Sequence, residues 1–113
     1  VEGSGGHGRF RGGLGIRRDY EVLAANGILT GYCQQTRPDT APWGLHGGGT
    51  GAPAALIRNP GTEQEENLKS KMVGLMLKKG DVLRTVGAGG GGWGNPADRD
   101  PTLAERDQRE GYV

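Results

Sequence analysis

The chain has 113 residues, 24 of them Gly and 6 Pro, with 14 basic against 13 acidic side chains and a formal net charge of +1. Gly and Pro make up over a quarter of the sequence, while Leu, Ile, Val and Phe together fall below a fifth, which excludes a large autonomous core. Near-balanced charge argues against a self-repelling disordered chain, clustered glycines exclude collagen, and no stretch approaches the roughly 20 apolar residues of a membrane-spanning helix.

In chain order, Val1 to Gly6 lacks the basic and apolar pattern of a signal peptide. With no initiator Met and a start inside a glycine-rich run, residues are expected to precede Val1. Leu14, Ile16, Tyr20 and Val22 then fall on even positions with Arg17, Asp19 and Glu21 between them, the period-2 pattern of a half-buried strand; Arg18 is the exception on the inner face. Asn26-Gly27 suits a type I′ turn, so a hairpin is predicted over 14–34, with Ile28 to Gln34 as its return strand. Residues 35–53, rich in Gly and Pro around Trp43, read as loop.

Strands are predicted within 54–86. Ala55 to Arg58 is a short apolar run, Asn59-Pro60-Gly61 a turn, and Met72, Val73, Leu75 and Leu77 lead to a second turn at Lys79-Gly80-Asp81, after which Val82, Leu83 and Val86 continue. Leu68, Met72, Leu75 and Met76 also match helical spacing, but Gly74 weakens a helix and Gly80-Asp81 suits a hairpin, so strand is preferred. A Gly-rich loop follows at 87–99. The last element, 100–111, is a helix: Asp100 as N-cap, Pro101 at the first helical position, Gly111 at the end. Leu103 is its only large apolar side chain, so it needs a neighbour to hold it. The fold class is mainly β: short antiparallel strands with long Gly-rich loops and one short C-terminal helix, the 113 residues forming a single segment that completes a larger subunit.

Few motifs carry chemistry. Gly87-Ala88-Gly89-Gly90-Gly91-Gly92-Trp93-Gly94 has the Gly-x-Gly-x-x-Gly spacing of dinucleotide loops, yet no helix can begin there, because the run leads into Asn95-Pro96. Gly89, Gly90, Gly91 and Gly92 remain the candidate cofactor-binding residues, as a nest of amides around an anion. The simpler reading is a run that lets backbone approach other backbone or pass around a buried Trp. Arg9-Phe10-Arg11-Gly12-Gly13 has the form of one RGG box, but a single copy in a nearly neutral chain offers no basic face, so no nucleic-acid partner is expected. Lys78 and Lys79 read as solvated.

His7 and His46 each stand beside glycine without the companions a metal site needs. Cys33 is the only cysteine, so no disulfide and no zinc knuckle can form, which suits a reducing, cytoplasmic setting. No histidine is readable as its catalytic partner. Trp43 and Trp93, both followed by Gly, suit a satellite core or a subunit contact. No catalytic residue and no metal ligand is assigned.

Three blocks together are more specific. Ser4-Gly5-Gly6-His7-Gly8-Arg9-Phe10-Arg11-Gly12-Gly13-Leu14-Gly15, then Pro42-Trp43-Gly44-Leu45, then Gly80-Asp81-Val82 with Gly89-Gly90-Gly91-Gly92-Trp93-Gly94-Asn95-Pro96 and Arg99-Asp100-Pro101, resemble in order the signatures of the hydantoinase B / 5-oxoprolinase family. The resemblance covers nearly the whole chain and matches the carboxy-terminal part of a B-type subunit of several hundred residues. It implies a role in an ATP-dependent amidohydrolase complex acting on cyclic amides of the hydantoin or 5-oxoproline type, or in a ketone carboxylase of the acetone or acetophenone type. An A-type subunit would bind Mg-ATP, and a divalent metal would sit outside this segment. The expected partners are that A-type subunit and the remainder of the B-type subunit, with no membrane. The segment itself is expected to be non-catalytic, contributing fold completion and subunit contacts. The competing reading of a different class is an independent anion-binding module built on the Gly-rich loop.

Overall fold

Two stretches far apart in sequence form one long antiparallel ribbon, and the rest of the chain is arranged around it. A computed structural model describes all 113 residues. The elements are β1 (Arg17–Glu21), β2 (Asn26–Tyr32), β3 (Ala55–Arg58), β4 (Glu66–Asn67), β5 (Lys71–Lys78), β6 (Val82–Val86) and a helix α1 (Pro101–Arg109), with 3-10 turns at Pro38–Thr40 and Pro96–Asp98. A four-stranded antiparallel sheet has the order β1-β6-β3-β4, and β2 and β5 make a two-stranded sheet. Register pairs Arg17 with Val86 and Glu21 with Val82 in the first sheet, and Asn26 with Lys78 and Tyr32 with Lys71 in the second. Between them the pairing does not lapse: the Val22 amide donates to Asp81 O, the Gly80 amide to Val22 O and the Lys79 amide to Ala25 O.

The predicted hairpin over 14–34 is therefore not formed. β1 and β2 do not pair with each other; they run on as one side of the ribbon, and β5 and β6 are the other side. A type I′ turn needs positive φ at both central residues, and neither Asn26 nor Gly27 has it. The Gly80-Asp81 turn likewise does not close a β5–β6 hairpin, but hands the chain from one sheet to the other, with Gly80 at φ +89°. The strand reading of Met72 to Leu77 holds. Gly74 is the reason it could be mistaken: it sits at φ +68° where the register shifts opposite Leu29 and Gly31, so it is the glycine of a β-bulge and not a helix defect.

The chain is long and thin, 53 × 27 × 19 Å with a radius of gyration of 16.8 Å, against about 13 Å for a compact domain of this length. The buried apolar residues are small or few, Ala41, Ala54, Leu56, Leu68 and Leu77. In the ribbon Leu29, Met72, Leu75 and Leu77 turn toward the sheet, while Ile28, Tyr32, Val73 and Met76 face out.

What replaces a side-chain core at the other end is backbone. Segments 4–15, 42–52 and 87–94 hydrogen-bond to one another outside any sheet: the Gly6 amide to Gly90 O at 2.8 Å, Gly49 to His7 O at 2.7 Å, Gly92 to Gly49 O at 2.9 Å. They lie so close that a Cβ on Gly6 would overlap Gly49 O, one on Gly12 would overlap Gly90 O, and one on Gly48 would overlap Gly92 O. Only glycine permits this separation, which is why the glycines come in three clusters.

The helix begins as its capping residues require. Asp100 Oδ1 accepts the Thr102 amide at 2.8 Å and Pro101 follows; at the far end Gly111 adopts φ +71° and the Tyr112 amide returns to Asp107 O, a Schellman-like stop. Leu103 stays exposed, and the one buried residue of the helix is Asp107.

Candidate functional site

Gly89, Gly90 and Gly92, three of the four candidate anion ligands, spend their amides inside the fold, donating to Ala52 O (3.0 Å), Gly13 O (2.9 Å) and Gly49 O (2.9 Å). Trp93 and Gly94 continue the pattern, donating to Phe10 O and Leu45 O. A nest needs several amides converging on one point, and this run sends its amides to different neighbouring segments. Backbone approaching backbone is what the glycines do here; no Trp is buried against them, since Trp93 is itself 43% exposed.

The lattice carries an aromatic edge. Phe10 and Trp93 exchange backbone hydrogen bonds of 2.9 Å, which places their rings 5.7 Å apart. His46, at φ 51°, lays its ring 5.2 Å from the same tryptophan, and the Arg9 guanidinium covers the Phe10 ring at 5.4 Å. Leu45, bridged to Trp93, extends the patch, and Trp43, two residues before it, has 73% of its surface open. Residues that the sequence offered singly thus form one exposed apolar surface, and the outward row Ile28, Tyr32, Val73 and Met76 forms a second on the ribbon. Aromatic side chains left open in this way are typical of surfaces that a protein neighbour covers. No three His, Cys, Asp or Glu side chains converge as metal ligands. Cys33 is a half-buried free thiol.

Two buried carboxylates were not singled out by sequence reasoning. Asp81 accepts the Lys78 amide at 2.9 Å, Arg58 Nη2 at 2.8 Å and Asn59 Nδ2 at 3.1 Å. The Lys78 amide first, then Arg58 and Asn59, hold its carboxyl well below the usual range, at about 2. Asn59 completes the corner by accepting the Val82 amide. A carboxyl whose pKa is lowered by folding favours the folded state above its unfolded pKa, near 3.9, and loses that contribution as pH falls toward 2. The junction between the two sheets is therefore expected to loosen between pH 4 and 2, and Asp81→Asn to remove most of that acid dependence while weakening the junction at neutral pH. Hydrogen exchange of the 78–83 amides against pH measures both.

Asp107 is the second. Arg99 Nε and Nη2 meet its Oδ2 at 3.0 and 2.8 Å, and Arg11 Nε lies 3.3 Å from the same oxygen. The Arg11 guanidinium stacks over Tyr112 at 4.9 Å, and Arg99 Nη1 reaches Arg9 O. The helix is thus held to the glycine lattice by charge and not by Leu103. One signal lay in the sequence: Asp107 follows Leu103 by four residues, on the same helical face. The arginine of the RGG segment is turned into the fold, its side chain 16% exposed.

Known proteins resemble this chain in sequence and fold. The family model described as hydantoinase B/oxoprolinase matches residues 1–96. A protein of Pseudomonas sp. (strain NS671), named as the B component of a D-/L-hydantoinase, is 32% identical over 107 residues, 94% of this chain and 18% of that protein. The beta chain of the Pseudomonas jessenii caprolactamase is 29% identical over 119 residues, 97% of this chain and 19% of that protein. A 5-oxoprolinase of Pestalotiopsis fici is 32% identical over 112 residues, 95% of this chain and 8% of that protein. Among solved structures, the ATP-dependent caprolactamase of Pseudomonas jessenii superposes with a TM-score of 0.77 at 28% identity, over 97% of this chain and 19% of that one. Nucleotide-free acetone carboxylase does so with 0.76 at 23% identity, over 99% and 19%, a likeness of fold. The chain spans less than a fifth of the length of these curated relatives.

Proposed function

Because the chain belongs to the hydantoinase B/oxoprolinase family, we propose that it works as one segment of an ATP-dependent amidohydrolase acting on cyclic amides, contributing fold completion and subunit contacts. The observation that carries this is the pair of open apolar surfaces on a chain that spans under a fifth of its relatives. Ribbon and lattice each lack one side of a core, and the remaining length of the B-type protein is the natural source of it. An A-type partner would supply ATP binding.

The chemistry such an assembly performs is physically coherent. A ring amide is a poor electrophile at neutral pH. Phosphorylating its oxygen activates the carbon, water adds there, and the C–N bond breaks with the ring nitrogen leaving as a protonated amine. The acyl phosphate that remains is hydrolysed to carboxylate and phosphate. Hydantoin, 5-oxoproline and caprolactam, the compounds in the relatives' names, all present such a ring amide. The Gly89, Gly90 and Gly92 amides are taken up by neighbouring backbone; ATP and the metal belong, in this reading, to the rest of the assembly.

The test is an assay of the intact protein with its A-type partner. ATP-dependent ring opening of 5-oxoproline, hydantoin or caprolactam is the expected result. ATP-dependent carboxylation of acetone or acetophenone, with no ring opening of any cyclic amide, would overturn the hydrolase reading in favour of the carboxylase one.

A further inference from the structure

The Arg11–Asp107–Arg99 cluster is not electrically closed. Two guanidiniums, each 16% exposed, share one carboxylate that is 6% exposed, so the cluster keeps one excess positive charge in a half-enclosed place. Its donors are also unequally used. Arg99 gives Nε and Nη2 to Asp107 Oδ2 and Nη1 to Arg9 O, whereas Arg11 makes one hydrogen bond, from Nη1 to Gly12 O at 2.8 Å. Arg11 Nε is shut off from solvent with no hydrogen-bond acceptor, its approach to Asp107 being poorly aligned. Nε, being closed to solvent, cannot itself meet a ligand; the donor left for one is Arg11 Nη2, which makes no hydrogen bond.

A cavity of about 230 Å³ opens beside the pair, lined by both arginines, Asp107, His7 and Gln108. At roughly 30 Å³ per water it has room for a small anion and several waters. We propose that this cavity is an oxyanion site, in which Arg11 and Arg99 hold a carboxylate or phosphate group, with His7 and Gln108 at its wall. Guanidinium forks suit such groups because their parallel N–H bonds match two oxygens of one anion. Stacking on Tyr112 holds the Arg11 plane in place before the ligand arrives. The site lies between the lattice and α1, so an anion bound there would also tighten the helix against the glycines. It does not depend on which substrate the assembly turns over.

Hydrogen exchange read by mass spectrometry on the intact protein tests this, with inorganic phosphate, sodium acetate and sodium chloride compared at equal ionic strength. Phosphate or acetate should slow exchange, saturably, in peptides covering 7–13 and 96–110, and leave the ribbon peptide 71–78 unchanged. Slowing by phosphate alone or by both anions supports the site and tells which oxyanion it takes. No slowing, the same slowing in chloride, or equal slowing in the ribbon overturns it. Arg11→Gln should abolish the effect while the ribbon peptide exchanges as before; if that variant does not assemble, the comparison of salts on the unaltered protein decides alone.

Discussion

Replacing Gly89 with alanine is expected to break the glycine lattice, and replacing Gly13 with alanine to leave it standing. The Gly89 Cβ would be driven into the Ser4 carbonyl, with Gly5 N also within 3.1 Å, and both are backbone. No rotamer change relieves such an overlap. Three segments would have to separate, and with them the bonds from Gly89 to Ala52 O and from Ala52 to Ser4 O. The cost should reach or exceed the upper end of the roughly 1–3 kcal/mol that one added methylene costs in a well-packed core. Gly13 has no atom within 4 Å of its would-be Cβ and its φ is ordinary, so alanine there is neutral, or stabilising by up to about 1 kcal/mol through the unfolded chain. Thermal unfolding of the two variants made in the intact protein, with protease resistance of residues 4–15 as the local readout, separates them. Equal behaviour would mean that the glycines are not closely packed.

Removing the charge of Asp107 is the second large effect. Asp107→Ala leaves Arg11 and Arg99 facing each other, largely buried, with their shared acceptor gone. Breaking a buried ion pair from one side typically costs about 3–5 kcal/mol, because an uncompensated charge remains. The predicted consequence is release of α1 from the lattice. Its own stability cannot hold it: the helix has nine residues and buries no apolar side chain, short of the roughly 12–15 residues at which isolated helices become marginal. Loss of exchange protection over 101–109, with 71–78 unaffected, is the expected pattern. Arg106→Ala on the same helix is the control, since its partner Glu110 lies on an exposed surface where such pairs contribute about 0.3–0.5 kcal/mol. A comparable loss from both variants would contradict the latch.

The elements can be read from the sequence alone; how they pair cannot. Strands and helix were legible because their signals are local: the run around Tyr20, the apolar run at Ala55 to Arg58, and the capping pair Asp100 and Pro101. The half-buried face read around Tyr20 is not formed, since all of β1 and Ile16 stay exposed. So was the purpose of the glycine clusters, since only close backbone approach explains so many in so few loops. Pairing was not legible. Asn26-Gly27 is a strong local turn signal, but β1 finds β6 more than sixty residues away, and nothing within 14–34 records that partner. Asp81 and Asp107 were missed for the same reason. Each looks like one more surface acid until Arg58 arrives from another strand, or Arg11 from the opposite end of the chain joins the nearby Arg99. Of the candidate anion ligands, Gly89, Gly90 and Gly92 give their amides to carbonyls of neighbouring segments, because a glycine-rich amide row can satisfy a carbonyl as readily as a phosphate.

In our reading this segment depends on a larger protein to cover Phe10, Trp43 and Trp93 at one end and Ile28, Tyr32, Val73 and Met76 on the ribbon. Thermal unfolding of the 113-residue chain by itself, followed by near-ultraviolet circular dichroism with its mass in solution determined by sedimentation, tests that dependence. Self-association, or a chain without a cooperative transition, is expected. A monomer that unfolds in one sharp, reversible transition would overturn the dependence.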